Sequence, residues 1–242
     1  MPGLGGKLPT GVLVSQHAKV ASADGNWISY PAHVSVEALD DQVPRRRLRA
    51  PARRAEILRA AADVFALRGY GSPGMAEIAE KAGVTRAVLY DHFESKRDLF
   101  ISALNEQSAV FLGHVGARIA GEGTARERMR DTVDAVFSFA ERHPAAWALL
   151  YKNDVHGDRE VDEAWLESRR SRSAAVTQML AGDLAEVGVD VGTPRAGLIV
   201  EMLVGALSAG AGEWRRGFPV VPREDVVELA MTLLWPGMSR LS

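Results

Sequence analysis

The sequence predicts an all-α protein, and three observations carry the prediction. Apolar residues recur at helical spacing from residue 53 onward. Capping residues or prolines stand at the head of most of those runs. No stretch reads convincingly as a strand. The 242 residues are 47% hydrophobic and 25% charged, which is ordinary for a folded chain with a real core and excludes a wholly disordered or fibrous one.

Taken in order, residues 1–43 are rich in Gly, Pro, Ser and Ala, show no sustained period and read as a disordered extension. Residues 44–52 form an arginine-rich arm. Six arginines fall within residues 44–54 with two prolines among them, and self-repulsion and proline both disfavour helix there. From Arg53 the pattern turns helical, with Ile57, Ala61, Val64 and Phe65 on one face and Gly69 as the C-terminal cap. A short helix follows near Met75–Ala82. Thr85 caps a third helix carrying Leu89, Tyr90 and Phe93, and Ser95-Lys96-Arg97-Asp98 opens a fourth in the pattern of a capping box.

Beyond residue 100 the helices continue. Thr124-Ala125-Arg126-Glu127 is a second capping box, leading into Met129, Val133, Val136, Phe137 and Ala140. Pro144 interrupts that run before a short apolar helix over 145–151. A long helix is expected over 159–187. Thr193-Pro194 starts another that runs to about Arg216, and a last one spans 223–235. Residues 53–100 thus read as one domain and 101–242 as a second helical domain.

Several chemistries are excluded. The chain has no cysteine, so disulfides, thiolate metal sites, iron–sulfur clusters and cysteine nucleophiles are ruled out. There is no nucleophile elbow, phosphate-binding glycine loop or His-Glu-x-x-His zinc motif. Asp154-Val155-His156-Gly157-Asp158 reads as a solvated loop with a helix cap rather than as metal ligands. The chain is expected to be no enzyme and to carry no metal or cofactor. The N-terminus lacks signal-peptide character and no long apolar run suggests a membrane span, so a cytoplasmic protein is expected.

The net charge of −2 is unevenly spread. Residues 44–97 hold 12 basic against 6 acidic residues, whereas residues 98–242 hold 15 against 21. A basic segment joined to an acidic one suits a polyanion-binding module attached to another function. Within that segment, Ala79 allows close helix packing and Gly83 a tight turn. Ile78, Ala82, Val84 and Leu89 supply the small core of a helix-turn-helix.

At these residues the chain resembles the DNA-binding region of the tetracycline-repressor (TetR) family. The resemblance lies in Gly69-Tyr70, Met75-Ala76-Glu77-Ile78-Ala79, Ala82-Gly83-Val84-Thr85, Leu89-Tyr90-Asp91-His92-Phe93 and Ser95-Lys96, roughly 45 of the 242 residues. It departs at one place. Family members usually carry Thr or Ser just before the second helix, capping it and touching phosphate, where this chain has Pro73-Gly74 with Ser72 the nearest hydroxyl.

The resemblance implies double-stranded operator DNA as a partner, with the third helix in the major groove. Thr85, Arg86 and Val88 lie in its first turn, nearest base edges. Arg86 suits guanine O6 and N7, and Val88 a thymine methyl. Tyr90 and His92 resemble phosphate-contacting positions. Lys96, at a helix N-terminus, also suits phosphate. Arg45, Arg46 and Arg47 in the arm can follow phosphates or enter a minor groove.

The resemblance also implies that the second domain binds an unknown small-molecule effector and forms a homodimer. Phe137, Trp147, Tyr151 and Trp165 are the candidate effector-binding group. The broad apolar surface of the helix at 194–216, with Gly205, Ala206, Ala209, Gly210 and Ala211, suggests burial on more than one side and hence a two-fold interface. The function expected is a transcriptional regulator, a repressor released from its operator by an apolar ligand. The alternative is a helical apolar-ligand-binding or interaction protein whose basic face is incidental.

Overall fold

The computed structural model describes residues 17–21, 27–31, 50–152 and 157–240. Residues 1–49 and 50–242 form two separate units.

In the first unit, strands β1 (His17–Ala21) and β2 (Trp27–Pro31) pair antiparallel, with His17 opposite Pro31 and Ala21 opposite Trp27. This corrects the expectation of an irregular segment for those ten residues. Val20, Ile28 and Tyr30 have strand propensity, and Asp24-Gly25 between the two runs is a hairpin signal. The arm residues Arg45, Arg46 and Arg47 lie outside the described residues.

The second unit is all-α, with ten helices among the described residues: α1 (Ala50–Arg68), α2 (Met75–Lys81), α3 (Arg86–His92), α4 (Lys96–Ile119), α5 (Ala125–Arg142), α6 (Pro144–Tyr151), α7 (Arg159–Met179), α8 (Ala181–Glu186), α9 (Pro194–Gly217) and α10 (Arg223–Met238). α1 starts three residues earlier than expected, because Pro51 falls in its first turn, where a missing N–H costs nothing. The single helix expected over 159–187 is two, broken at Leu180, which ends α7 and begins α8. α10 runs past Pro236 to Met238, since one proline removes only one bond of its ladder.

Caps set the remaining boundaries. Thr85, Ser95, Thr124 and Thr193 each accept a hydrogen bond from the backbone N–H three residues on. Thr124 and Glu127 form the full reciprocal box, and Thr124 N–H holds the Glu127 carboxyl below its usual range. At the start of α4 the box is shifted by one residue, because the Asp98 carboxylate accepts from Glu94 N–H at 3.0 Å. Gly69 (φ 71°) and Gly83 (φ 66°) take the left-handed backbone that ends α1 and α2.

The helices α1 to α3 pack on the first turns of α4. Ile57, Ile78, Leu89 and Leu99 are fully buried there, with Phe93 and Phe100 beside them. The helices α4 to α10 form the larger layer, α4 packing on α5 and α7, and α5 on α9 and α10. α4 crosses the boundary expected at residue 100 without a break, so the two halves share one helix.

Candidate nucleic-acid interface and effector cavity

α2, the Gly83 turn and α3 are held by backbone bonds. Val84 N–H donates to Ala79 O at 2.9 Å and Gly83 N–H to Glu80 O at 3.0 Å, so the turn is closed without help from side chains. Leu89 and Phe93 point inward and anchor α3. The opposite face, with Arg86, Ala87 and Tyr90, is exposed, and Tyr90 is 46% exposed. Val88 and His92 are half-buried at its edges. Thr85 Oγ accepts from Val88 N–H at 3.3 Å, and its O–H is a further donor beside that bond. Thr85, Arg86, Val88, Tyr90 and His92 thus lie on this face or at its edges.

Lys96 is placed differently. Its ammonium donates to Gly71 O and Pro73 O, both at 3.0 Å, and lies 4.7 Å from the centre of the Tyr70 ring. The α1–α2 turn leaves those carbonyls without helical partners, and Lys96 reaches them from the start of α4. An ammonium has three N–H bonds, so one remains for a phosphate. The N-cap of α2 is Gly74, which offers no side-chain cap, while Ser72 Oγ accepts from Arg68 at 3.3 Å. Glu77 supplies the negative charge that the first turn favours and pairs with Arg68 at 2.6 Å.

A latch joins this head to α7. Arg97, next to Lys96 on α4, donates to Asp158 at 3.0 Å and to Glu160 at 2.5 Å. Tyr70 O–H donates to the same Asp158 oxygen at 3.3 Å. Desolvation pushes the Asp158 carboxyl up. The Arg97 guanidinium and the N–H groups of Val161 and Glu160 outweigh that and hold it below the usual carboxylate range. Asp158 therefore caps α7, as the loop reading expected, and also binds the head. Asp154, Val155 and His156 lie outside the described residues.

Between α4 and α10 lies an apolar cavity. Phe111 and Val115 of α4, Met129, Val133 and Val136 of α5, and Trp147 and Tyr151 of α6 form one side. Leu180, Leu184, Val204, Leu207 and Trp235 form the other. Trp147 and Tyr151 stack with ring centres 4.3 Å apart. The buried Arg172 lies 5.0 Å from the Tyr151 ring centre and donates to Ser108 Oγ and Leu150 O, holding that wall in place. Burial raises the Tyr151 phenol above its ordinary pKa and lowers that of Arg172.

Of the four candidate effector residues, Trp147 and Tyr151 line this cavity and the other two do not. Phe137 faces a separate recess between α9 and α10, edge-on to Trp214 at 5.7 Å. Trp165 is core, donating its indole N–H to Leu149 O at 3.2 Å. The α5 wall is Met129, Val133 and Val136, at i, i+4 and i+7, and Phe137 sits about 100° further round the helix. That spacing was the sequence signal for the wall residues. Phe111, on α4, carried no comparable signal.

A helix-turn-helix head joined by one continuous helix to a second helical domain with an apolar cavity is the architecture of a DNA-binding transcriptional regulator. Residues 57–103 match the model of the bacterial regulatory proteins of the tetR family. The chain is 30% identical over 195 residues to the HTH-type transcriptional activator FasR of Mycolicibacterium smegmatis, covering 81% of this chain and 87% of that protein. It is 31% identical over 83 residues to a fatty acid metabolism regulator protein of Bacillus subtilis, covering 34% of this chain and 43% of that protein. The solved structure of FadR from Bacillus subtilis in complex with stearoyl-CoA has the same fold, with a TM-score of 0.61 at 20% identity over 74% of this chain and 96% of that one. The chain belongs to the TetR family of transcriptional regulators, and like its relatives it is not an enzyme.

Proposed function

We propose that the protein is a homodimeric, cytoplasmic repressor that leaves its operator when a long-chain apolar ligand fills the cavity. The observation that carries this reading is α4. Its first turns hold the head through Lys96, which donates to Gly71 O and Pro73 O, and through Phe100, which packs on Phe65 and Tyr70, and its later turns place Phe111 and Val115 in the cavity wall. A ligand that binds one position of α4 better than another shifts the head by that difference in affinity. The Arg97–Asp158 latch gives α7 a second hold on the same turn.

An acyl chain is the ligand class favoured by the cavity's lining, by the name of the B. subtilis fatty acid metabolism regulator protein and by the stearoyl-CoA in the FadR structure. α9 is long and apolar enough to span a membrane by length and composition alone. Its exposed Leu198 and Met202, with Leu229 and Leu233 of α10, instead suit a two-fold interface with a second copy. Such a dimer presents two α3 helices to two half-sites.

In DNA contact, Arg86 reads a base edge, Thr85 and Val88 flank it, and Tyr90, His92 and Lys96 hold phosphates, with Arg45, Arg46 and Arg47 following the backbone.

The test is fluorescence anisotropy on DNA upstream of the protein's own gene against scrambled DNA, at low and physiological salt. Selective binding that weakens with salt is expected, and Arg86→Ala should cost about 1–3 kcal/mol on the selected site alone. Equal weak binding to both DNAs and to a genome-wide library would overturn the reading. The M. smegmatis relative is named an activator, which favours a second reading with the same DNA and ligand sites. Transcription in vitro that rises when the protein is added would select it.

A further inference from the structure

The cavity wall is not equally closed all the way round. Its inner lining, with Phe111, Val133 and Leu184, is buried, whereas Ala125 and Met129 at the start of α5 and Val187 at the end of α8 are half-buried. Asp183 belongs to this rim, for it lines the cavity and also pairs with Arg128 of α5. Arg128 Nε donates to Asp183 at 2.7 Å, and its two terminal nitrogens donate to Gly123 O and, at 2.8 Å, to Glu186. Glu186 is exposed, so one guanidinium links the cavity lining to solvent.

Two different forces hold α8. Leu184 and Val189 pack with Ala196 and Val200 of α9, which fastens α8 on that side by apolar burial. On the α5 side the Arg128 fork fastens it. α8 is six residues long with a break in helix at either end, Leu180 before it and Gly188, at φ 75°, after it. An ion pair near the surface exchanges its partner for water at little cost, whereas parting Leu184 from α9 would expose core. The α5–α8 seam is therefore the part of the wall that opens without undoing the core.

We propose that this seam is the port by which the effector enters and leaves the cavity, and that Arg128 is its gate. The inference rests on the apolar-effector reading above. With Arg128 on Asp183 and Glu186 the seam is shut. When the guanidinium swings out to water, Met129 and Val187 remain as the rim, and the unbranched Met129 side chain yields readily. Such a gate acts on passage and not on the bound state. It raises or lowers one barrier that both directions share, so it changes both rates by the same factor and leaves affinity alone.

The test is stopped-flow fluorescence of the full chain with Nile red, a neutral dye that brightens in apolar surroundings, its cavity signal identified by loss in Val136→Phe. Arg128→Gln should raise the association and dissociation rates together by about tenfold and leave Kd unchanged. Salt should raise both rates in the wild type and neither in the variant, since charge does not steer a neutral dye. The chain has no cysteine, so the double variant Arg128→Cys, Asp183→Cys can be bridged by a flexible bismaleimide. Bridging should slow both rates well below those of the unbridged form. A purely structural Arg128 would instead weaken affinity through the dissociation rate alone. That result, or rates indifferent to salt and bridging, overturns the port while the cavity stands. If Arg128→Gln does not fold, the salt dependence of the wild-type rates decides. If the cavity takes up no dye, the apolar-effector reading falls and the port with it.

Discussion

The head and the cavity domain use apolar side chains to opposite ends. Between α1, α2, α3 and the start of α4, Phe65 and Tyr70 meet Phe100 edge-on at 5.1 and 5.2 Å, and Ile57, Ile78, Leu89 and Leu99 are fully buried. Between α4 and α10 an equally apolar lining surrounds space that no side chain fills. A head that must present α3 in one geometry gains from close packing. A domain that must accept a ligand has to forgo some, and each unfilled region gives up dispersion contacts.

The sharpest way to break this comparison is to open the head. Phe93→Ala should cost about 3–5 kcal/mol in urea unfolding, the range for a fully buried aromatic, and should abolish operator binding. The turn comes next. Gly83→Ala forces a side chain to φ 66° with open space around it, so the cost of about 1–2 kcal/mol is backbone strain alone.

Closing the cavity should behave the other way. Val136→Phe adds volume to a space already empty, so stability should hold within about 0.5 kcal/mol while affinity for an alkyl probe falls about tenfold. If the same change destabilised the domain as overpacking does, by about 1–3 kcal/mol, the cavity would be a filled core and the comparison would fail. Thr85→Ala should remove the cap of α3 at a cost of about 1 kcal/mol, read by denaturation.

The smallest effect is a pH slope in the cavity domain. Burial, and after it the nearby His143, hold the His114 imidazole below its ordinary value of about 6.5, although a backbone bond at Ala135 partly opposes them. The unfolded chain therefore takes up that proton first. The contribution is complete above pH 6.5 and is lost as pH falls through and below it. His114→Gln should flatten the difference between urea midpoints measured at pH 7.5 and pH 5.5. An unchanged slope would place the effect elsewhere.

The head was legible in the sequence because its determinants are local. Thr85, Ser95 and Gly83 act within four residues of where they stand, and Leu89 with Phe93 is one face of one helix. The same locality found the capping box at Thr124 and the start at Thr193. The pairing of β1 with β2 was equally local and was passed over, because the composition of residues 1–43 outweighed a ten-residue signal.

The cavity was legible only in part. Trp147 and Tyr151 were found as aromatics on one short helix, while Phe137 and Trp165 have the same chemistry and point elsewhere. Lys96 shows the same limit. Its two carbonyl partners, Gly71 O and Pro73 O, reach its ammonium only in the folded turn.

By itself, then, the sequence determined the helical class, the order and caps of the helices, and the face that α3 offers. Those depend on propensity, capping and a period of 3.6, which neighbouring residues settle among themselves. The tertiary structure alone decided which apolar faces leave a space unfilled, that α4 spans both halves, and that Arg97 meets Asp158. A void is what remains after helices far apart in sequence have packed, and its shape depends on all of them at once.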